Sequence, residues 1–252
     1  MFKNIRILIL LCILLIVAVN AFDDKNHNWQ KATYVYLFPI NMDNDDKVQT
    51  YINTLNEKEF AQINDYIKEQ AKRYHQSVTI YYRFGEQVKE IPPAVPRNGG
   101  IMDAIIWSLK FRYYHFKHKP DTPFKPDLTL YLQYHSPNKH ILTETSTALQ
   151  NGRIGVVNLF GTDKKTANNN VVIAHESLHG FGATDKYDLK TGIPLYPQGY
   201  ANPSQNPVLP QKQAELMAVH IPISQDKFEM ARELKQTVVG ELTAKEIGWI
   251  KK

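Results

Sequence analysis

The eleven-residue stretch from His175 to Asp185 constrains this chain more than any other segment. It follows the apolar run Val171 to Ala174, which predicts the start of a buried helix. Histidines four positions apart lie on one face of a helix, about 6 Å apart along its axis. His175 and His179 can therefore direct both imidazole rings at one metal ion.

The other polar residues of the stretch fit a catalytic metal site. Glu176 would lie beside the metal, which suits a base that takes a proton from a metal-activated water. Gly182 would let the chain turn sharply after His179 and bring Asp185 back as a third ligand. Two imidazoles and one carboxylate leave a fourth position for water, as in catalytic zinc sites. Asp188 is a competing carboxylate, but its spacing does not match the pattern. The alternative is a buried helix whose two histidines are satisfied by hydrogen bonds alone.

The extended pattern His-Glu-x-x-His-x-x-Gly-x-x-Asp resembles the metzincin clan of zinc endopeptidases, which includes snapalysin-like and matrixin-like members. Its aspartate form is similar to the snapalysin-like branch. The resemblance implies a methionine in a tight turn beneath the zinc, and Met217 is the candidate. Some members carry a zinc-binding tyrosine two residues later. Val219 occupies that position here, so no tyrosine ligand is implied.

Hydrophobic periodicity predicts an α/β (α+β) fold with a mixed twisted sheet, which agrees with a metzincin-like domain. The predicted strands are 34–38, 78–84, 127–132 and 154–160, and the predicted helices are 56–74, 101–116 and 243–249. Residues 164–170 are predicted as a polar loop that caps the metal-binding helix through Thr166 or an asparagine.

The buried faces of the two long helices are predicted from their apolar spacing. On helix 56–74 the inward residues are Phe60, Ile63, Ile67 and Ala71. On helix 101–116 the predicted inward residues are Ile105 and Leu109, with Trp107 as a further candidate.

Residues 1–21 have the composition of a signal peptide. Lys3 and Arg6 precede an apolar run from Ile7 to Val19, and Ala21 offers a small residue for cleavage. The alternative is an uncleaved N-terminal membrane anchor, and both interpretations predict an exported protein, secreted or periplasmic.

The composition of residues 22–252 excludes several kinds of site. The formal charge of +5 falls to +3 when residues 1–21 are removed, which does not favour nucleic-acid binding. Cys12 is the only cysteine, so the body has neither disulfides nor a thiolate metal site.

We expect a monomeric single domain in which the metal-binding helix separates an upper subdomain, residues 30–182, from a smaller and mostly irregular lower one, residues 183–252.

The sequence thus predicts an exported zinc endopeptidase in which Zn²⁺ is bound by His175, His179 and Asp185 and Glu176 is the general base. The alternative is an exported binding protein that is non-catalytic or dedicated to one partner. The resemblance implies that strand 155–160 is an edge strand to which substrate adds, although nearby loops could equally protect that edge. Apolar residues between Ile193 and Leu209 are expected either to line the side-chain pocket or to anchor their own loop.

Overall fold

The computed structural model describes residues 26–96, 100–119, 121–137, 146–150 and 152–250, together with Leu15, Phe22 and Asp24. The predicted signal segment, with Cys12 and the cleavage position at Ala21, therefore lies outside the described residues apart from Leu15. Among the residues that are described, no helix combines the length and the apolar character needed to cross a membrane.

A mixed five-stranded sheet forms the centre of the described structure. Its strands are β1 (Thr33–Asn41), β2 (Ile80–Phe84), β3 (Leu128–His135), β4 (Thr147–Leu149) and β5 (Ile154–Phe160). Their spatial order is β2-β1-β3-β5-β4. The first four strands in this order run parallel, and β4 pairs antiparallel with β5. The predicted α/β class with a mixed sheet is confirmed.

Helices cover both faces of this sheet. The described residues contain the α-helices α1 (Asp46–Thr54), α2 (Ala61–Lys72), α3 (Ile101–His118), α4 (Thr166–Gly180) and α5 (Glu241–Glu246). After α4 come the short strands β6 (Ala214–Glu215), β7 (His220–Pro222), β8 (Phe228–Met230) and β9 (Thr237–Val238). Strand β6 pairs with β9, and β7 pairs with β8.

Alternating side chains of β1 divide the core into two layers. Val35 and Leu37 pack in the larger layer, which contains the buried faces of α1, α2 and α4. Tyr36 and Phe38 point the other way, into a mainly aromatic layer beneath α3. Helix α4, which carries the histidines, and helix α3 therefore lie on opposite faces of the sheet.

Helix α2 and the turn before it bury the predicted face. Phe60, Ile63, Ile67 and Ala71 are at most 2% exposed. Helix α1 was not predicted because its sequence begins with an acidic stretch. There Asp45 acts as a helix cap, since its side chain accepts hydrogen bonds from the backbone of the first turn.

The predicted inward face of α3 is wrong for Ile105 and Leu109, while the further candidate Trp107 is confirmed as buried. Ile105 is 47% exposed and Leu109 is 63% exposed, whereas Trp107, Phe111 and Tyr114 are buried. These aromatic residues follow the spacing i, i+4, i+7 and pack as rings in the layer beneath the helix. Because α3 is apolar on nearly every side, periodicity alone could not identify the buried face.

Strand β1 continues through Pro39, where the sequence predicted its end. The carbonyl of Pro39 accepts a hydrogen bond from the backbone N–H of Val88, on the β2 side of β1. Because the nitrogen and the carbonyl of one strand residue face the same side, the nitrogen of Pro39 also faces the β2 side. The pairing with β2 has already ended at Leu37, and the missing N–H therefore costs no bond to β3.

Helix α4 begins five residues before the predicted start at Val171. Residues 166–170 belong to the helix instead of a loop, and its N-cap is Lys165, without a side-chain cap. The predicted cap is therefore wrong. Asn169 instead bonds both backbone groups of Phe160 at the end of β5. This contact fixes the start of α4 against the sheet.

Two partly buried histidines should make the fold sensitive to acid. Burial and the charge of Arg153 lower the pKa of His27 to about 3, while burial and the charge of Lys119 lower that of His115 to about 4. Unfolding returns both to about 6.5, so the unfolded chain binds more protons below that pH. The stability from their neutral forms is complete above pH 6.5 and is lost as the pH falls towards 4.

We expect His27→Gln to reduce this loss by about 1 kcal/mol per pH unit between pH 6.5 and 4. Glutamine cannot gain a proton in this range, and its oxygen can still accept a hydrogen bond from Arg153, as His27 Nδ1 does in the structure. Urea unfolding of both proteins at pH 7, 6, 5 and 4 measures the two slopes. Parallel slopes would show that His27 does not couple folding to protonation.

Candidate metal centre

Helix α4 brings the two motif histidines together. Nearly every residue from Asn169 to Gly180 is buried, so the core fixes the rotation of the helix about its axis. The Nε2 atoms of His175 and His179 are 3.0 Å apart. Potential ligand atoms of these residues and Glu176 all lie within 4.8 Å of one another, and no second such cluster occurs among the described residues. The structure thus contains a candidate metal site at the predicted position.

Backbone carbonyls orient both imidazole rings. His175 Nδ1 lies 3.1 Å from the carbonyl oxygen of Leu216, and His179 Nδ1 lies 2.8 Å from that of Ala183. Since a carbonyl only accepts, each Nδ1 carries the proton and donates. In the neutral rings both Nε2 lone pairs then face each other, and this arrangement requires a cation or a shared proton between them.

Helix α4 ends in the sharp turn that the sequence predicted. The backbone N–H of Gly182 bonds the carbonyl of His179, and the N–H of Ala183 bonds that of Leu178, which together form a Schellman motif. Gly182 has a φ of +106°, and Gln150 already occupies the space where a Cβ would lie. Glycine is therefore required at this position.

We expect Gly182→Ala to destabilise the protein by about 2 kcal/mol, because alanine adds backbone strain and a clash with Gln150. The altered turn should also weaken metal binding, since Asp185 follows it. Gly248→Ala is a matched control, because Gly248 also has a positive φ, +80°, but no atom lies within 4 Å of the point that a Cβ would occupy there. Chemical unfolding and metal titration of both variants test this, and equal metal affinities would contradict the role of the turn.

Asp185 completes a three-residue cluster with the histidines. Its Oδ1 lies 3.1 Å from His179 Nε2 and 3.4 Å from His175 Nε2. Asp188 is exposed, and its Oδ1 accepts hydrogen bonds from Lys190 and Thr191 within its own loop. Of the two aspartates considered from the sequence, the structure places Asp185 beside the histidines.

Helix α5 holds the segment around Asp185 in place. Glu246 accepts hydrogen bonds from the backbone and side chain of Thr184. It also forms a 2.7 Å ion pair with Lys186, whose side chain is only 3% exposed. Both neighbours of Asp185 are thus fixed to the same glutamate.

His179 and Asp185 each stabilise the charged form of the other. Burial alone would lower the pKa of His179, but the hydrogen bond to Asp185 and the charges of Glu176 and Asp185 outweigh it and raise that pKa to about 9. Burial alone would raise the pKa of Asp185, but hydrogen bonds from both histidines hold it well below its ordinary value. The site therefore favours positive charge between these side chains.

Glu176 differs from the other carboxylate of the site. It is 3% exposed and lines the cavity, and its Oε2 has no hydrogen-bond partner among the described residues. Burial raises the pKa of Glu176, although the nearby His179 and His175 oppose this effect. A buried and unpartnered carboxylate oxygen can accept a proton from a ligand in the cavity.

Met217 lies in a tight turn that connects two sides of the site. The backbone N–H groups of Ala218 and Val219 both bond the carbonyl of Glu215, which closes the turn. The preceding carbonyl, that of Leu216, contacts His175, while the carbonyl of Met217 accepts a hydrogen bond from the backbone of Lys186. Met217 itself is fully buried.

A buried carboxylate connects this turn to the chain near α5 through hydrogen bonds. Glu215 is fully buried and accepts hydrogen bonds from the backbone of Met217 and Gly240 and from the hydroxyl of Thr243. Val219, at the end of the turn, has a φ of +62°, an unfavourable conformation for a β-branched residue. Such local strain is often found at functional sites.

A cavity of about 450 Å³ opens beside the cluster. Ser146 and residues of strand β4 line it, together with a wall that contains both polar and apolar side chains. The apolar members of that wall are Tyr187, Leu189, Val219, Phe228 and Met230. The loop from Tyr187 to Glu215, predicted to wall the pocket, does so only through its first residues, Tyr187 and Leu189 to Gly192. The predicted apolar lining between Ile193 and Leu209 is wrong, since none of those residues borders the cavity.

The predicted edge strand is also wrong. Strand β5 lies between β3 and β4, and the edge beside the cavity is β4. Strand β4 has only three residues, all half-buried, and it follows a segment with no apolar alternation. Its pairing with β5 depends on contacts that a local sequence pattern does not reveal.

Comparisons with known proteins assign no family to the chain. No model of a protein family matches it, and no curated protein does so. One solved structure that it resembles is titled "Structure of a chaperone-substrate complex", with 12% sequence identity and a TM-score of 0.39. The match covers 88% of this chain and 35% of the other, so this chain spans about a third of that one. A similarity at this level indicates neither a shared fold nor a shared function.

Proposed function

We propose that this protein is a zinc-dependent endopeptidase. The observation that carries the proposal is the convergence of His175, His179 and Asp185 beside the unpartnered carboxylate oxygen of Glu176. A structural zinc site is normally closed by four protein ligands, whereas a catalytic site has three and keeps one position open. Three candidate ligands at the border of a cavity fit the second pattern.

The spacing of the three ligand atoms fits zinc. Tetrahedral zinc has bonds of about 2.0–2.1 Å to imidazole nitrogen and carboxylate oxygen, so neighbouring ligand atoms lie about 3.3 Å apart. In the structure the three separations are 3.0, 3.1 and 3.4 Å. His175, His179 and Asp185 would hold the ion, with both histidines binding through Nε2.

Each protein group then has a defined task in peptide hydrolysis. Zinc, when bound, lowers the pKa of water and polarises a carbonyl group. Glu176 accepts a proton from the attacking water at Oε2 and passes it to the nitrogen of the departing amine. The raised pKa of Glu176 favours its acceptance of the proton from water. Met217 and its turn hold the imidazole of His175 through the carbonyl of Leu216.

The position of β4 at the edge of the sheet favours a peptide over a small molecule as the substrate. Strand β4 is the last strand of the sheet among the described residues and borders the cavity, so an extended peptide could pair with its outer edge. The wall around Val219, Phe228 and Met230 offers an apolar surface for a side chain of that peptide.

The remaining assignments follow from the sequence pattern. We assign a metzincin-like fold, supported by the order of the sheet, the motif helix and the buried turn at Met217. We further propose an exported monomer, secreted or periplasmic, with protein substrates and no nucleic-acid partner. Export rests on the composition of residues 1–21.

The proposal is tested by zinc analysis and proteolysis of the purified protein. We expect one zinc ion per chain, X-ray absorption typical of two imidazoles with oxygen ligands, and new N-termini in unfolded proteins added as substrates. Mass spectrometry identifies those termini. A protein that binds zinc at this site and cleaves none of a broad peptide library would instead support the non-catalytic or single-partner alternative.

A further inference from the structure

Helix α3 exposes an unusually apolar face to solvent. Seven of its large apolar side chains are between 46 and 82% exposed: Ile101, Met102, Ile105, Ile106, Leu109, Tyr113 and Phe116. At 3.6 residues per turn, these positions fall within an arc of about 140° that runs the length of the helix. We call this arc the outer face. A contiguous exposed apolar surface on a soluble domain normally marks an interaction site.

The outer face is distinct from the side of α3 that packs on the sheet. Trp107, Phe111 and Tyr114 lie on the opposite side of the same helix and are buried against the sheet. Trp107 and Tyr114 also donate hydrogen bonds to the carbonyls of Pro93 and Glu90. Since these contacts fix the rotation of the helix, the seven exposed apolar side chains point away from the fold.

Exposed lysines flank the outer face on both sides. Lys110 and Lys117 lie along one margin, and Lys119 lies at the other, at the end of the helix. The only acidic residue of the helix, Asp103, is engaged at its N-terminus, where it accepts a hydrogen bond from the backbone of Gly100. An apolar stripe with lysines at its margins is typical of helices that lie in the surface of a membrane.

The chain that follows the predicted export segment lies beside the same helix. Asp24, three residues after Ala21, accepts a hydrogen bond from the backbone of Gly152. The guanidinium of Arg112, on α3, occupies the space where a side chain at Gly152 would lie. The polypeptide thus passes next to α3 soon after the apolar run that would contact a membrane during export.

We propose that the outer face of α3 binds the surface of an anionic lipid bilayer. Its apolar side chains would enter the boundary between headgroups and acyl chains, and the three lysines would contact the anionic headgroups. A second copy of the chain fits this face less well, because a symmetric contact would bring the same lysines together without acidic partners. The N-terminal segment offers Lys3 and Arg6 but no acid, so it does not complement the lysines either.

The proposal is tested by a fluorescent label on the full chain. With Cys12→Ser removing the single native cysteine, Leu109→Cys places an environment-sensitive dye on the outer face. Lys72→Cys places the same dye on α2, which packs on the opposite face of the sheet. With vesicles of phosphatidylcholine and phosphatidylglycerol, we expect a blue shift for the dye at position 109 and none at position 72.

Charge variants test the part played by the lysines. Lys110→Glu, Lys117→Glu and Lys119→Glu together should weaken the apparent vesicle affinity, measured from the shift at position 109, by at least about 100-fold. Lys47→Glu, Lys58→Glu and Lys212→Glu change the charge equally at exposed positions elsewhere and should leave the shift unchanged.

Three outcomes would overturn the proposal. The first is a protein that floats with the vesicles while the dye at position 109 does not shift, because the N-terminal segment would then be the whole attachment. The second is a blue-shifted dye before any lipid is added, since the protein would then cover the face itself. The third is an equal response to vesicles of phosphatidylcholine alone, which would remove the anionic lipid from the interaction.

Discussion

Glu176→Gln should abolish most peptide hydrolysis while the protein keeps its zinc and its fold. The amide has the size of the carboxylate but cannot accept a proton, so we expect kcat/KM to fall by about 10²- to 10⁴-fold. The side chain is buried and its Oε2 has no hydrogen-bond partner among the described residues, so the substitution breaks no bond at that atom. Zinc content, thermal unfolding and initial rates on a quenched peptide measure the three properties.

Glu229→Gln is the matched control for this variant. Glu229 is exposed on β8, next to residues that border the cavity, and it loses the same charge on substitution. We expect its rate to stay close to that of the unchanged protein. Comparable rates for Glu176→Gln and Glu229→Gln would remove Glu176 from the mechanism. Loss of zinc from Glu176→Gln would instead make this glutamate a ligand.

Asp185→Asn should weaken zinc binding by at least about 100-fold, whereas Asp188→Asn should change it little. Both variants lose one negative charge in the same loop, so long-range electrostatics affects them alike. Only Asp185 lies within 3.4 Å of both histidine nitrogens, while Asp188 bonds its own loop. Competition with a zinc-binding dye at constant pH measures both affinities.

The pair of aspartate variants also separates two interpretations of the site. If zinc affinity falls equally in both, the charge of the loop matters and the contact of Asp185 does not. If Asp188→Asn alone loses zinc, the loop rearranges on metal binding and the predicted third ligand is wrong. In either case the assignment of Asp185 fails while that of His175 and His179 stands.

The local part of the site could be predicted because it depends on short sequence separations. Two histidines four residues apart share a helix face by geometry. The Schellman turn is closed by hydrogen bonds from Gly182 to the residue three positions earlier and from Ala183 to the residue five positions earlier. The fully buried side of α2 followed from its spacing for the same reason.

The supporting parts of the site could not be predicted because they involve distant backbone groups. The carbonyl of Leu216 orients His175 from 41 residues away, and any residue type can offer a carbonyl. Likewise, the three residues of β4 carry no alternating pattern, and their place at the edge depends on pairing with β5. The sequence therefore misplaced the substrate-binding edge.

Helix α3 shows a different limit. A helix with apolar residues on nearly every side gives little indication of which side faces the core. Its aromatic side packs against the sheet, so the predicted inward residues Ile105 and Leu109 are exposed. The misassigned face is the surface for which we propose a lipid partner.

The most direct test of the central claim is the metal dependence of proteolysis in the purified full chain. Removal of metal by a chelator should stop cleavage of an unfolded protein, and one equivalent of Zn²⁺ per chain should restore it, whereas Mg²⁺ should not. Cleavage that persists after complete metal removal would contradict a zinc mechanism. A zinc-loaded protein that never cleaves would contradict the assignment as an endopeptidase.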